Sequence, residues 1–156
     1  MLDYVHRHTI PAAYAILPAA MASPDATRML LAIGLQESHF AARAQHGGPA
    51  RGFWQFEASG ITGLQSHPAT RTHLANALTD LCYDLEHQRT TEALLVAIEH
   101  NDVLACVLAR LNIWWLPEPL AIDADNGWAQ YLAAWRPGRP RAETWATNWA
   151  DAGLPR

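Results

Sequence analysis

The sequence contains no lysine, so all 11 of its basic residues are arginines. They are outnumbered by 15 acidic residues, which gives the chain a formal net charge of −4 at pH 7. A domain that binds nucleic acid normally carries a basic patch on its surface. We therefore expect no nucleic-acid partner for this protein.

Cysteine is also scarce. The two cysteines, Cys82 and Cys106, fall on predicted helices, and two cysteines alone do not make a disulfide framework. We expect both to be buried free thiols, since an unpaired cysteine behaves as a small apolar side chain. The eight histidines lack the spacing of a metal-ligand set, so we expect neither a metal site nor a cofactor.

Long apolar runs are missing as well. An apolar run at residues 10–22 is interrupted by Pro11 and Pro18, and Asp3 precedes it. It is shorter than the roughly 20 residues that a transmembrane helix needs, so we expect no membrane span. The prolines and the acidic residue also disfavour a signal peptide. We expect instead a short first helix over residues 10–21 that covers the core.

A length of 156 residues and an apolar content of 50% suit one folded domain over residues 1–156. Apolar residues recur at spacings of three and four, which predicts a mainly α fold. Beyond the first helix, the predicted helices cover residues 24–40, 74–85, 93–99, 103–114, 123–135 and 143–152. A loop is predicted at 57–63, and a further helix is predicted to start at Ser66. The helix at 103–114 is apolar on nearly every side and is expected at the centre of the domain.

Seven tryptophans are many for a chain of this length. Aromatic residues at helical spacing usually pack in a core. We expect such packing for four of them, namely Trp128, Trp135, Trp145 and Trp149. The pattern leaves Trp114 and Trp115 unassigned.

The stretch at residues 32–57, AIGLQESHFAARAQHGGPARGFWQFE, is the most informative part of the sequence. Ser23 and Pro24 are typical of the start of a helix, which we expect to run to about Phe40. On a helical period Glu37 shares one stripe with four apolar residues, Ala26, Leu30, Ile33 and Ala41. The sequence therefore predicts a carboxyl group that faces inward among apolar neighbours.

Burial of Glu37 has a chemical consequence. A carboxyl held against apolar surface loses solvation of its charged form, so its pKa rises. A raised pKa suits a general acid that works near neutral pH. The alternative is that Glu37 lies in solvent at the end of its helix, or pairs with Arg43 or Arg51.

A turn follows the helix. Four turn-forming residues lie close together, namely Gly47, Gly48, Pro49 and Gly52. In a short strand after this turn, alternate side chains share a face, with Trp54 and Phe56 towards the core and Phe53, Gln55 and Glu57 on the other side. We expect the turn to fold that second face back towards Glu37, so that two carboxylates and an amide converge.

Glu37-Ser38 at a helix end, followed by a glycine turn and Gly52-Phe53-Trp54-Gln55, resembles the lysozyme-like superfamily, especially phage endolysins and lytic transglycosylases. The spacing of Glu37 and Glu57 is also similar to that in the plant-type chitinases of the same fold. The resemblance covers residues 33–57 and implies a mainly α, lysozyme-like domain with a small β-turn or hairpin segment after the catalytic helix. It implies cleavage of the β-1,4 bond between N-acetylmuramic acid and N-acetylglucosamine in peptidoglycan glycan strands.

The resemblance also implies roles for individual side chains. Glu37 protonates the leaving oxygen as the general acid. Glu57 either activates a water molecule, as in an inverting muramidase, or takes no part, in which case Glu37 returns as a base and the product is a 1,6-anhydro sugar. Ser38 and Gln55 are expected to orient the substrate or Glu37, and Trp54 is the expected sugar contact.

One later segment departs from the family pattern. Residues 109–112 read Ala-Arg-Leu-Asn, the nearest match to an Ala-Tyr-Asn segment of lytic transglycosylases, and they lack its tyrosine. We expect Arg110 in this segment either to pair with a carboxylate such as Glu86 or Glu99, or to reach the active site.

Two other functions stay open from the sequence. The first is a catalytically inactive lysozyme-like protein that serves as a structural or wall-binding part of a virion. The second is a helical interaction domain whose motif resemblance is accidental. If the protein is an active enzyme made in the cytoplasm without a signal peptide, we expect it to reach the cell wall through a holin or as a component of a virion.

Overall fold

Helices hold most of the chain, which confirms the mainly α fold class. A computed structural model describes residues 1–153. The α-helices are α1 (Leu2–Tyr4), α2 (Ile10–Ile16), α3 (Pro24–Ser38), α4 (Ala58–Ser66), α5 (Arg71–Asp80), α6 (Thr91–His100), α7 (Asp102–Trp114), α8 (Ala124–Trp135) and α9 (Ala142–Ala152). A π-helical segment, Val5–Thr9, joins α1 to α2, and short 3-10 segments lie at Ala19–Met21 and Glu86–Gln88.

Side-chain N-caps begin four of these helices. Ser23 and Asn101 each accept the backbone N–H of the residue three positions later, at 3.0 Å, and so start α3 and α7. Thr90 and Asp123 cap α6 and α8 in the same way. Each cap satisfies a backbone donor that has no partner inside its helix. The predicted starts of these four helices are confirmed to within two residues.

The N-terminal helix differs from its prediction. Helical structure begins at Leu2 and is continuous through the π-helical segment to the end of α2. It stops at Ile16 because Pro18 follows, and residues before proline disfavour helical backbone angles. Only the 3-10 turn Ala19–Met21 occupies the rest of the predicted span.

The loop predicted at residues 57–63 is wrong, because α4 occupies it. At least one of the glycines that suggested a loop has a different structural role. A side chain on Gly60 would bring its Cβ within 3.1 Å of the Phe56 ring, so this glycine allows a close contact. Ile61 and Leu64 on the next turn are buried and hold α4 against the core. Ser66 accordingly ends α4, and the next helix starts at Arg71.

Helix α7 forms the centre of the domain, as its all-round apolar sequence predicts. Every residue from position 104 to position 113 is buried, and α7 contacts α2, α3, α4, α5, α6 and α8. Helix α9 packs along α3, which carries the candidate acid. Within the described 153 residues no helix has the length and hydropathy to cross a membrane.

The two cysteines lie in different environments. Cys106 is a buried free thiol in α7, as predicted. Cys82 is exposed, and it lies outside a helix, so that part of the prediction is wrong. The helix predicted over residues 74–85 ends earlier, at Asp80, and Cys82 then adopts a left-handed backbone conformation with φ of 63°.

Candidate active site

Glu37 lies one residue before the end of α3. The helix stops there because His39 and Phe40 both adopt left-handed backbone angles, with φ of 51° and 53°. The Phe40 ring then folds back over Gly34, where an added Cβ would lie 2.2 Å from the ring. Ala26, Leu30 and Ile33 are buried below Glu37 as predicted. Ala41 follows the helix end and is exposed, so it is not part of the stripe.

Ser38 fastens the end of α3 to the turn. Its hydroxyl donates to the carbonyl oxygen of Phe53 at 2.7 Å and accepts the backbone N–H of Phe40 at 3.1 Å. The side chain therefore holds the two backbone segments of the site together. It does not hydrogen-bond to Glu37, so the predicted role in orienting that carboxyl is replaced by a role in positioning the turn.

The segment after the turn is not a strand. Two isolated antiparallel bridges, Ala44 with Arg51 and Arg51 with Phe56, form the small β-like segment that the resemblance implies. Gly52 has a left-handed backbone, with φ of 72°. A Cβ added to Gly52 would lie 3.2 Å from the Ile98 carbonyl oxygen, so a side chain there would be both strained and crowded. Gln55 is also left-handed, with φ of 50°. This backbone breaks the alternation that the prediction assumed.

As a result, three aromatic side chains of this segment share the core. Phe53, Trp54 and Phe56 are all buried, although Phe53 was predicted on the opposite face. The Trp54 indole donates to the carbonyl oxygen of Leu30 at 2.8 Å, and its ring meets Phe40 edge to face. Trp54 is fully buried, so its predicted role as the sugar contact is wrong.

A cleft of about 990 Å³ opens beside Glu37. Gln55 and Glu57 line it together with Glu37, as the folding back of the turn predicts. The side-chain N–H of Gln55 donates to the backbone carbonyl oxygen of Gly52 at 2.8 Å. The side-chain oxygen of Gln55 takes no part in this hydrogen bond. Glu57 is exposed and precedes the first residue of α4. The two carboxyl groups and the amide therefore share one cleft.

Another part of the cleft wall was not predicted. Trp115, at the end of α7, lies with its ring centre 5.5 Å from that of His67 and 6.0 Å from the Arg136 guanidinium carbon. Arg136 and Arg139 both line the cleft in the segment after α8. A half-buried indole beside the Arg136 cation, in a cleft that Arg139 also lines, is suited to a sugar ring that carries an anionic substituent.

The four tryptophans predicted to pack divide between core and cleft. Trp145 and Trp149 are buried. Trp128 is half-buried against Trp145, at 5.6 Å between ring centres. Trp135 is half-buried and also lines the cleft, with its indole N–H donating to the Trp54 carbonyl oxygen at 2.8 Å. It therefore joins the aromatic core to the candidate site.

Glu37 has neither of the arginine partners that the alternative assigned to it. Arg43 forms two hydrogen bonds with the Asp102 carboxylate, at 2.8 and 2.7 Å, and Arg51 pairs with Glu99 at 3.0 Å. Glu37 is itself half-buried rather than free in solvent. Both arginines that could have neutralised it as an ordinary surface pair are thus engaged elsewhere.

The partner of Glu37 is a tyrosine from α8. The Tyr131 hydroxyl donates to Oε1 of Glu37 at 2.7 Å. The Tyr131 ring is buried and stacks on Trp145 at 5.3 Å and near Trp135 at 6.3 Å between ring centres. Burial and the Glu37 charge both raise the pKa of Tyr131, so its hydroxyl stays protonated and acts as a donor. The sequence did not indicate this tyrosine, because residues 109–112, the nearest match to an Ala-Tyr-Asn segment, contain no tyrosine.

Burial raises the pKa of Glu37 to about 7. The hydrogen bond from Tyr131 and the positive charge of Arg141 act in the opposite direction, and the Glu57 charge adds a smaller increase. The increase in pKa caused by desolvation therefore exceeds the decrease caused by Tyr131 and Arg141. A carboxyl with a pKa near 7 is partly protonated at neutral pH and can donate that proton.

Arg141 is positioned by the residue next to Glu37. Buried Gln36 donates through its amide to the Arg141 carbonyl oxygen at 2.9 Å, and the Arg141 guanidinium donates to the Gln36 carbonyl oxygen at 2.7 Å. The Gln36 amide oxygen also accepts from Asn148 at 2.8 Å and Thr144 at 3.0 Å. This network fixes the start of α9 against α3 and keeps a positive charge near the carboxyl.

Replacing Tyr131 with phenylalanine is expected to raise the pKa of Glu37. The hydrogen bond favours the charged carboxylate, so its loss moves the pKa further upward. The midpoint of the Glu37 carboxyl titration, followed by nuclear magnetic resonance, should move up by about one pH unit. Tyr14→Phe is a matched control, because the Tyr14 hydroxyl bonds to Thr27 and not to Glu37. A midpoint that does not move, or that moves to lower pH, would contradict the role of Tyr131.

The chain matches no protein-family model, no curated protein and no solved structure. Among residues 1–153, no group of three or more His, Cys, Asp or Glu side chains is arranged to hold a metal ion. The groups that line the cleft include two carboxyl groups, two arginines and half-buried indole surface.

Proposed function

We propose that this protein is a lysozyme-like glycosidase that cleaves the β-1,4 bond between N-acetylmuramic acid and N-acetylglucosamine in peptidoglycan. One observation carries this proposal. Glu37 presents a carboxyl whose pKa is raised to about 7 at the wall of a cleft of about 990 Å³. That volume is at the upper end of the range for ligand sites in proteins, about 300 to 1,000 Å³, and suits an extended oligosaccharide.

In the acid step, Glu37 donates its proton to the glycosidic oxygen while the bond from that oxygen to C1 breaks. The electron pair leaves with the oxygen, and C1 acquires oxocarbenium character. Glu37 becomes a carboxylate at the moment when positive charge develops at C1. Tyr131 then stabilises that carboxylate through its hydrogen bond at 2.7 Å.

In the second step, Glu57 acts as a base that removes a proton from a water molecule as the water oxygen bonds to C1. This assignment makes the protein an inverting muramidase with a reducing muramic end as product. The exposure of Glu57 and its place in the cleft supply a carboxylate in contact with water. In the competing lytic-transglycosylase route, Glu37 itself removes the proton from the C6 hydroxyl, which bonds to C1 and gives a 1,6-anhydro end.

Substrate preference follows from the charge of the cleft wall. Arg136 and Arg139 line the cleft, although the whole chain has a net charge of −4. Peptidoglycan carries carboxylates on its stem peptides and on lactyl groups that bear no peptide, and chitin carries none. The arginines therefore favour peptidoglycan over a neutral polymer of N-acetylglucosamine.

Glu57→Gln tests the second step. The substitution keeps the shape of the side chain and removes the base, so we expect hydrolysis to fall by about a hundredfold or more. Glu92→Gln is a matched control, because Glu92 is exposed on α6 and does not line the cleft. Near-normal rates with 1,6-anhydro products in Glu57→Gln would exclude Glu57 as the base and assign the single-glutamate route.

The function itself is tested by incubating the protein with purified peptidoglycan and, separately, with chitin oligomers. We expect soluble muropeptides to be released from peptidoglycan and chitin to be cleaved far more slowly. Cleavage of chitin without cleavage of peptidoglycan would contradict the proposed substrate. In a cell, the protein would act on the wall after release through a holin or as a virion component.

A further inference from the structure

Arg110 is the one buried charge in the described residues that the cleft does not explain. It lies in the central helix α7 with 2% of its surface exposed. Glu99, a predicted partner, pairs instead with Arg51, and the other predicted partner, Glu86, is exposed on a 3-10 turn. Arg110 does not line the cleft of Glu37 either. Both sequence-based roles for this residue are therefore wrong.

The guanidinium is incompletely satisfied. Its Nε donates to the Met21 carbonyl oxygen at 2.7 Å, and its carbon lies 5.2 Å from the Trp114 ring centre. Nη1 is buried and has no hydrogen-bond partner among residues 1–153. Removing a charge from water without pairing it is strongly unfavourable, even after the surroundings relax. The nearby Tyr14 and Cys106 do not compensate it, because burial raises the pKa of both groups and keeps them neutral.

Arg110 also lines a second cavity, of about 300 Å³, which is separate from the cleft. Six of the nine lining residues are apolar, among them Ile113, Trp114, Leu116 and Leu120, and the exposed Glu118 also lines the cavity. Gln130 in the wall is already satisfied, since its amide bonds to Ala121 and Pro119. Arg110 thus places a buried, incompletely hydrogen-bonded cation in the wall of a small cavity whose other ionisable lining residue is Glu118. The volume lies at the lower end of the range for ligand sites, about 300 Å³.

We propose that this cavity is a binding site for a small monocarboxylate with an apolar body. The carboxylate pairs with the Arg110 guanidinium, and the apolar body packs against Trp114 and the aliphatic walls. A charge-assisted hydrogen bond in a buried setting is stronger than one between neutral groups, so the negative charge of the ligand is required. The proposal stands independently of the glycosidase function, because no residue lines both the cleft and the cavity.

Nuclear magnetic resonance on the full chain tests this site, with benzoate as the probe and benzamide as its neutral analogue. Trp114 lines the cavity and the neighbouring Trp115 lines the cleft, so their two indole N–H signals report on the two sites separately. We expect benzoate to shift the Trp114 signal saturably and to leave the Trp115 signal in place. Benzamide is expected to bind at least about tenfold more weakly.

Variants complete the test. Arg110→Met keeps the length of the side chain and is expected to weaken benzoate binding at least about tenfold. Arg71→Met removes an exposed arginine from α5 and should leave binding unchanged. If Arg110→Met does not fold, the comparison of benzoate with benzamide in the wild-type chain decides. No saturable shift at Trp114, a shift at Trp115 alone, equal binding of benzamide, or an unaffected Arg110→Met would each overturn the proposal.

Discussion

Glu37→Gln is expected to lower the rate of fragment release from peptidoglycan by about a thousandfold, within the range of about 10² to 10⁴ typical of general acids. Glutamine has the shape of glutamate and still accepts the hydrogen bond that Tyr131 donates at 2.7 Å. It has no proton to give to the glycosidic oxygen. The loss should therefore fall on kcat, with the fold and substrate binding retained.

The measurement is the initial rate of soluble-fragment release at pH 6, where the wild-type carboxyl is mostly protonated because its pKa is about 7. Glu92→Gln removes an exposed carboxylate outside the cleft and should retain full activity. A circular dichroism melt verifies that each variant is folded. A Glu37→Gln protein that keeps more than about a tenth of the wild-type rate would contradict the assignment of the acid.

The same substitution is expected to change the pH dependence of stability. The pKa of Glu37 is about 7 in the folded protein and about 4.5 for an unperturbed glutamate. Between these values the folded chain binds a proton that the unfolded chain has lost, so wild-type stability falls as the pH rises from about 4.5 to about 7. Glutamine does not titrate. Relative to wild type, Glu37→Gln should therefore gain up to about 3 kcal/mol across this interval.

Urea unfolding of both proteins at several pH values between 4 and 8 measures this difference. The two free energies of unfolding should be closest near pH 4 and furthest apart above pH 7. The result requires no substrate, so it reports on the burial of Glu37 alone. A difference that stays constant across the range would show that Glu37 titrates as an ordinary exposed glutamate.

Local signals made the scaffold predictable. The caps Ser23 and Asn101 start α3 and α7 because a side-chain acceptor three residues before a free N–H is a short-range interaction. Burial of α7 follows from its apolar residues on all sides. The inward placement of Glu37 follows from the period of α3 in the same way.

Contacts over long sequence separation were not predictable. Tyr131 reaches Glu37 across 94 positions, and nothing near either residue indicates that their helices meet. The alternation assumed for residues 53–57 failed because the left-handed Gly52 and Gln55 form a turn, which places Phe53 and Trp54 in the core. The glycines of α4 also led to a wrong prediction of a loop, because Gly60 allows the helix to pack closely against Phe56.

Mass spectrometry of the soluble fragments that wild-type protein and Glu37→Gln release from purified peptidoglycan tests the central claim most directly. Glu37 as the acid at the cleft wall predicts fragments that end in reducing muramic acid for the wild type and almost none for the variant. If the wild-type fragments carry anhydro ends and the variant releases none, Glu37 is still the acid. Glu37, and not Glu57, is then the base of the second step. No fragments from the wild type, or equal fragments from both proteins, would contradict the proposed activity.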